Sequence, residues 1–414
     1  MKGLHQKVNV ERVIARLEQL AQCSRTKHGV TRLSFTEESE KANRLVSIWM
    51  QEAGMSVRRD AMNNVIGRYE GNVPQAPVLL VGSHLDSVVE AGKYDGILGV
   101  IAGIEVIQTL YENGIRTKHP IEVIGFCDEE GTRFHTTFLG SRAIAGTLQE
   151  KDLEAKDKDG VSLAEAMHAL GLDPSKYWMA ARDSKSVLGY LELHIEQGPV
   201  LEESKQACGV VSGIAGQSRY EFRVKGQAGH AGTVPISMRK DALVGAAEMI
   251  QAIERIAIQY GTLVVATVGK LSVLPGSCNV IPGVVEGTLD VRSIDDEKRI
   301  AALHEMLEEC HRIAQRRCLD CEFQPVMESP AVACSDRFIR VIESVLEDHH
   351  MKPIRLVSGA GHDAMAIADL TDIGMIFVRC REGLSHHPDE YVSPEDIQEG
   401  VSILLDTILK IADQ

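Results

Sequence analysis

Strand-length apolar runs alternate with helix-length stretches through the first half of this 414-residue chain, and that alternation restricts the folds open to it. Residues 78–82 read as a buried strand, 83–96 as a loop and 97–111 as a helix. Residues 121–126 and 188–193 read as further strands, behind helices at 9–22 and 37–53. A mostly parallel sheet with helices on both faces, an α/β fold, accommodates such a pattern most simply. The texture changes near residue 209. Residues 219–225 alternate polar and apolar side chains, as an antiparallel strand with one wet face does. A helix over 239–259 follows, then strands near 262–270 and 284–291, a helix over 297–316 and a last strand ending near 326. This β-α-β-β-α-β order reads as a smaller ferredoxin-like α+β domain. The α/β texture returns after about 330, with a helix over 335–349, a strand over 374–378 and a C-terminal helix. The expected organisation is a discontinuous catalytic domain over 1–211 and 330–414, with an inserted domain over 212–329. Two domains also suit a chain longer than one ordinary core.

The 44 Lys and Arg against 59 Asp and Glu give a net charge of −15. That balance disfavours nucleic acid or an anionic membrane as partner, and a small anionic ligand would need locally placed cations. No leading segment joins a basic start to an apolar run, and no apolar run approaches the ~18–20 residues that span a bilayer. The expected location is therefore cytoplasmic. The nine cysteines are odd in number and follow no repeating pattern, so they read as reduced thiols. Cys318 and Cys321 form a lone CxxC with no second pair at zinc-ribbon spacing.

Polar clusters follow the apolar strands: VGSHLD at 81–86, CDEEG at 127–131, LHIEQG at 193–198 and GLSHH at 383–387, with KYDG at 93–96 in the loop after the first. Ligands of open α/β sheets bind outside the carboxyl ends of the strands, so His84, Glu129, Glu130, His194 and His386 are candidates to converge there. A lone histidine in such a place more often caps a strand or serves a turn; the assembled set points to metal. Imidazoles and carboxylates suit borderline-soft divalent ions. Three histidines and two carboxylates exceed one tetrahedral site with an open position. Two ions sharing a carboxylate account for the set better, and Asp95 reads as the bridge. Asp86 is placed to accept the other imidazole proton of His84. Glu129 and Glu130 are adjacent and would face opposite ways on a regular strand. At a strand end they can divide the work, one on metal and one facing the attacking water as general base. An ordinary acidic turn is the plainer alternative.

Over essentially its whole length the chain resembles the hydantoinase/carbamoylase branch of the two-metal aminoacylase and carboxypeptidase superfamily. The motifs that carry the resemblance are GSHLDSVVEAGKYDGILGV, DEEGTRF, ELHIEQGPVLE, GHAGTVPISMRKD, NVIPG, SGAGHDAM and LSHHPDE. It implies that His84, Asp95 and His194 hold one ion, that Asp95, Glu130 and His386 hold the other, and that Glu129 is the catalytic carboxylate. His194 falls where peptidase relatives have an acidic ligand, which marks the ureido-cleaving branch. His387 rivals His386, and the family's SHxP spacing favours His386. The ions implied are zinc, manganese or nickel. His230 resembles a lid histidine that reaches the partner subunit's site and stabilises the developing oxyanion. Without the resemblance it is equally a glycine-flanked turn residue. Asn279 and Arg292 resemble substrate-binding residues, and the planar Arg292 guanidinium suits a carboxylate, although it would otherwise be a solvated strand-end charge. Gln217 and the 359–361 loop, through Gly359 and Ala360, are further substrate contacts, with His362 and Asp363 holding that loop rather than metal. The inserted domain would be the lid and the surface of a homodimer. The function implied is hydrolysis of the terminal ureido group of a small carboxylate, releasing ammonia and carbon dioxide. The segments look closest to allantoate amidohydrolases, with N-carbamoyl-L-amino-acid hydrolases next and hydrolases of ureidoglycolate or β-ureidopropionate beyond them. A metal-binding dimer without catalysis is disfavoured by Glu129, and an exopeptidase by His194.

Overall fold

A computed structural model describes residues 8–413; the first seven residues, on which the expectation of no leader segment falls, lie outside them. The chain divides into two compact units, one formed by the chain up to Ser212 together with the chain from Cys334 onward, the other by Gly213–Ala333.

The main sheet of the first unit runs in the order Ser56–Arg59, Val65–Tyr69, Ile121–Phe126, Val78–His84, Val187–Ile195, Ile373–Val378, Cys208–Ile214. Its four central strands, from Ile121–Phe126 to Ile373–Val378, are mutually parallel. The strands outside them pair antiparallel. The sheet is thus mixed rather than mostly parallel. A hairpin-length connection between Arg59 and Val65 can join only antiparallel neighbours, whereas parallel neighbours need a long crossover. Val78–His84, Ile121–Phe126 and Ile373–Val378 are buried along their whole length, as strands covered on both faces must be. The helix Ile97–Glu112 is buried almost all round and packs on Val78–His84.

Strand register decides where the polar residues fall. His84 ends its strand opposite Phe126, three residues before Glu129. Val81 pairs with Leu191, so His84 and His194 stand three residues further along on neighbouring strands, at the same level. His194 in turn pairs with Phe377. The strand of His194 extends to Ile195, so this histidine sits within the ladder rather than beyond it.

In the second unit the sheet order is Leu271–Leu274, Val284–Ser293, Gly216–Lys225, Asp320–Ser329, all antiparallel, with Val265–Thr267 also on Val284–Ser293. The strand expected near 262–270 is confined to Val265–Thr267, and a separate strand, Leu271–Leu274, follows it. The helix expected from 239 begins at Ala242, because the Asp241 side chain caps it by accepting the N–H groups of Leu243 and Val244. Along Val284–Ser293 the burial alternates. Val285, Leu289 and Val291 face a core shared with Met249, Ile253, Met306 and Ile313 from the helices Ala242–Gln259 and Asp296–Arg316. Asp290 and Arg292 lie on the other face. Among the described residues no helix is long and apolar enough to cross a membrane.

Candidate metal centre

At the carboxyl ends of the parallel strands the five expected ligands come together in two groups that share Asp95. His84, Asp95 and His194 offer ligand atoms within 4.8 Å of one another, and so do Asp95, Glu130 and His386. The two oxygens of Asp95 face different ways. Oδ1 lies 3.1 Å from Nε2 of His194 and 3.8 Å from Nε2 of His84. Oδ2 lies 3.1 Å from Nε2 of His386, which is 3.3 Å from Oε1 of Glu130. One carboxylate thus stands between two imidazole–carboxylate clusters, as a bridging ligand must.

Backbone carbonyls set the imidazole tautomers. Nδ1 of His84 is 3.1 Å from the Asp86 carbonyl, and Nδ1 of His194 is 2.9 Å from the Ile195 carbonyl. A carbonyl oxygen can only accept, so both Nδ1 atoms carry protons and both Nε2 atoms face Asp95. Gly96 follows Asp95 with φ +69°, and a Cβ there would lie 2.3 Å from Nε2 of His84. Only glycine lets this loop pass so close to the ligand. Asp128, Gln197 and His386 also occupy the left-handed region, with φ of 53°, 56° and 55°. Strain of this kind persists where a site overrides local preference.

Asp86 differs from expectation. Its backbone carbonyl, not its side chain, meets the His84 ring; the carboxylate lies 3.8 Å from Nδ1. The carboxylate instead accepts the N–H groups of Glu129 at 3.0 Å and Glu130 at 3.2 Å. Two successive amides presented by a turn form a better-aligned pair of donors than an imidazole two residues away in the chain. Asp86 therefore fixes the turn that presents both glutamates. Glu129 is buried, and it also groups with His84 and Glu130 within 4.8 Å. Distance alone does not divide the work between the two glutamates. Burial, and then the Glu130 charge beside it, push Glu129 well above the usual carboxylate range.

Among the described residues the ion pairs of Asp86, Asp95 and Glu130 are all with histidines. Such a donor set fits divalent cations. Burial works against His194, but Asp95 raises it to about 9; Asp95 and Glu130 raise His386 to about 10. At such values both rings carry a second proton near neutral pH in metal-free protein, and that proton must leave before the ring can bind a cation. Metal loading at about pH 7.5 is expected to release about two protons per chain, with affinity rising as pH climbs towards those values. Calorimetry in buffers of different ionisation enthalpy counts the protons. Release near zero would remove these imidazoles from the ligand set.

The other candidates are placed as follows. His387 accepts the Asp389 N–H at Nδ1 and belongs to neither group. His362 is buried edge-on to His194, 4.4 Å between ring centres, and its Nε2 is 2.7 Å from Oγ of Ser358. The same Ser358 hydroxyl contacts both the N–H and the carbonyl of Ala360, so His362 braces the loop of Gly359 and Ala360. His362 also groups with Glu192 and His194 within 4.8 Å. Within the second unit His230 and Asn279 are exposed on adjoining segments; Val280 pairs with His230, and the Asn279 carbonyl accepts the Ala231 N–H. Arg292 is already engaged: Nε donates to Oδ1 of Asp290 at 2.8 Å and a second nitrogen to Oδ2 at 3.1 Å. Arg219 and Gln217 converge on the same carboxylate.

Sequence reasoning missed four residues. Gln197 Nε2 and Ser385 Oγ reach Oδ2 of Asp95 at 3.0 and 3.1 Å. Glu390, which burial and then the Asp95 charge raise to about 7, accepts the Asp95 N–H. Asp290 is the carboxylate beneath Arg292. The first three lie inside the quoted motifs, and Asp290 is two residues from Arg292, hence on the same strand face. That spacing was the available signal.

Comparison with known proteins gives the family. The profile of peptidase family M20/M25/M40 matches residues 80–410. The chain is 46% identical over 403 residues to the N-carbamoyl-L-amino acid amidohydrolase of Geobacillus stearothermophilus, covering 97% of this chain and 98% of that protein. It is 41% identical over 433 residues to the allantoate deiminase of Arabidopsis thaliana, covering 97% and 82%. The crystal structure of a hydantoinase/carbamoylase family amidase from Burkholderia multivorans superposes with a TM-score of 0.93 at 36% identity, covering 99% of each chain.

Proposed function

Because the chain belongs to peptidase family M20/M25/M40, and within it resembles the hydantoinase/carbamoylase amidases, we propose that it is a two-metal amidohydrolase that cleaves the ureido group of a small carboxylate. Allantoate is the leading substrate. N-carbamoyl-L-amino acids are the second reading, favoured by the 46% identity to a relative named for that activity. Ureidoglycolate and β-ureidopropionate are remoter readings. The observation that carries the proposal is Asp95, with one oxygen towards His84 and His194 and the other towards Glu130 and His386.

His84, Asp95 and His194 would hold one divalent ion, and Asp95, Glu130 and His386 the other. Such ions polarise a carbonyl and lower the pKa of the attacking water. The chain's own residues do the rest. Glu129, whose affinity for a proton burial and the neighbouring Glu130 charge raise, acts as the carboxylate: it takes a proton from the attacking water and returns it to the leaving nitrogen. Hydrolysis yields the amine, carbon dioxide and ammonia. Zinc, manganese and nickel all suit these ligands.

In the inserted unit, Arg219 and Arg292 set two positive charges against the single carboxylate of Asp290, around a cavity of roughly 500 Å³. This local surplus supports Arg292 as the substrate-carboxylate contact in a chain whose net charge is −15. Gln217, Asn279, Gly359 and Ala360 are the accompanying substrate contacts. We read His230 as the oxyanion-stabilising lid residue and the inserted unit as the surface of a cytoplasmic homodimer. Its exposed Val244, Ile258 and Val265 support that reading.

The test is ammonia release from allantoate and N-carbamoyl amino acids, each also supplied as its carboxamide, with release of free amino acids followed for dipeptides. The free ureido acids are expected to be hydrolysed and their carboxamides to react roughly ten- to a hundredfold more slowly, as loss of a charge-assisted contact of about 1.5–3 kcal/mol predicts. Cleavage of dipeptides in preference to ureido acids would refute the proposal.

A further inference from the structure

We propose that Glu390 is a positioning residue for the bridging carboxylate: it clamps the loop of Asp95 to the loop of Ser385 and His386, and so sets the spacing of the two metal positions. This rests on the two-metal reading above.

Glu390 is 3% exposed and meets three donors. Oε1 accepts the N–H groups of Tyr94 at 2.9 Å and Asp95 at 3.1 Å, across almost 300 residues of sequence. Oε2 accepts the Ser385 hydroxyl at 2.9 Å. Pinning two successive amides fixes the Asp95 backbone, which leaves only its side-chain torsions to place Oδ1 and Oδ2. The opposite end of the clamp is the residue before His386, so two of the three members of the second ligand group, Asp95 and His386, depend on the same carboxylate.

Two further observations show a site built around this side chain. A Cβ at Gly92 would lie 2.3 Å from Oε1 of Glu390 and 2.4 Å from its Cβ, so the loop reaches the carboxylate only as glycine. The Ser385 hydroxyl lies 2.9 Å from Glu390 and 3.1 Å from Oδ2 of Asp95, yet it has one proton to give. When Oδ2 turns its lone pairs to a cation, that proton can rest on Glu390, and the clamp stays closed as the ligand is released. Burying a carboxylate is costly unless its bonds are satisfied. Here every bond it accepts runs to the Asp95 loop or to Ser385.

The experiment is Mn²⁺ binding to the full-length protein, read by calorimetry and by the electron paramagnetic resonance of the spin-coupled pair, with folding followed by thermal unfolding in chelator. Wild type should bind two ions per chain and show coupling. Glu390→Ala should bind roughly ten- to a hundredfold more weakly, as loss of an outer hydrogen-bond partner typically does, and lose the coupled signal. Glu390→Gln keeps an oxygen for the two amides and should stay within about tenfold of wild type. Gly92→Ala leaves Glu390 in place but displaces its carboxylate, and should resemble Glu390→Ala. At saturating metal KM should not change. A folded Glu390→Ala with wild-type affinity and coupling overturns the clamp. Should that variant not fold, Gly92→Ala with wild-type affinity and coupling overturns it equally. Wild type binding fewer than two ions instead overturns the two-metal reading itself.

Discussion

Glu129→Gln is expected to lower kcat by about 10²–10⁴, the range typical for loss of a positioned general base. The substitution conserves volume and leaves His84, Asp95, Glu130, His194 and His386 untouched. Metal content should therefore stay near that of wild type while turnover collapses. The prediction is sharp because Glu129 and Glu130 are neighbours on a turn pinned by the Asp86 carboxylate and both approach His84. What separates them is surroundings. Glu130 meets His386 at 3.3 Å, whereas burial and surrounding carboxylates raise Glu129 well above its ordinary range. A group that readily takes a proton suits the base; a group paired with an imidazole suits the ligand. Steady-state kinetics with metal analysis on the same samples decide the matter. Loss of metal from Glu129→Gln, with turnover per bound ion preserved, would exchange the two roles.

Asp95→Ala should have the other large effect. A residue serving one site would cost one ion, but Asp95 faces both clusters and its loss should empty both. Activity is expected to fall by at least about 10³, since several kcal/mol of charge stabilisation disappears with the ions and each ~1.4 kcal/mol is tenfold in rate. His84→Ala, by contrast, should weaken chiefly the site it shares with His194. Metal content per chain measures the difference. Asp95→Ala retaining two ions would mean that the carboxylate bridges nothing.

Much of this was legible because burial writes itself into local pattern. Strands such as Ile373–Val378 are unbroken apolar runs, and their carboxyl ends had to be where polar residues collect. The alternation along Val284–Ser293 marked one wet face for the same reason. The hairpin Ser56–Arg59 and Val65–Tyr69 escaped because short flanking strands carry too few residues to show a period. The role of Asp86 was misassigned because spacing places it near His84 but does not say which of its oxygens turns towards the ring. Glu390 was invisible as a partner of Asp95: a hydrogen bond between residues 295 apart leaves no trace in any window of sequence. The Asp290–Arg292 pair was within reach, two residues apart on one strand face, but the expectation of a substrate carboxylate hid the one the chain supplies itself.

The most direct test of the central claim is a titration of chelated, metal-free protein with Mn²⁺ while ammonia release from allantoate and from an N-carbamoyl-L-amino acid is followed. The account predicts no release without metal, and activity that rises to a plateau at about two equivalents per chain, the number of ligand groups that share Asp95. Full ammonia release from protein verified to be metal-free, or a plateau at one equivalent, would contradict it.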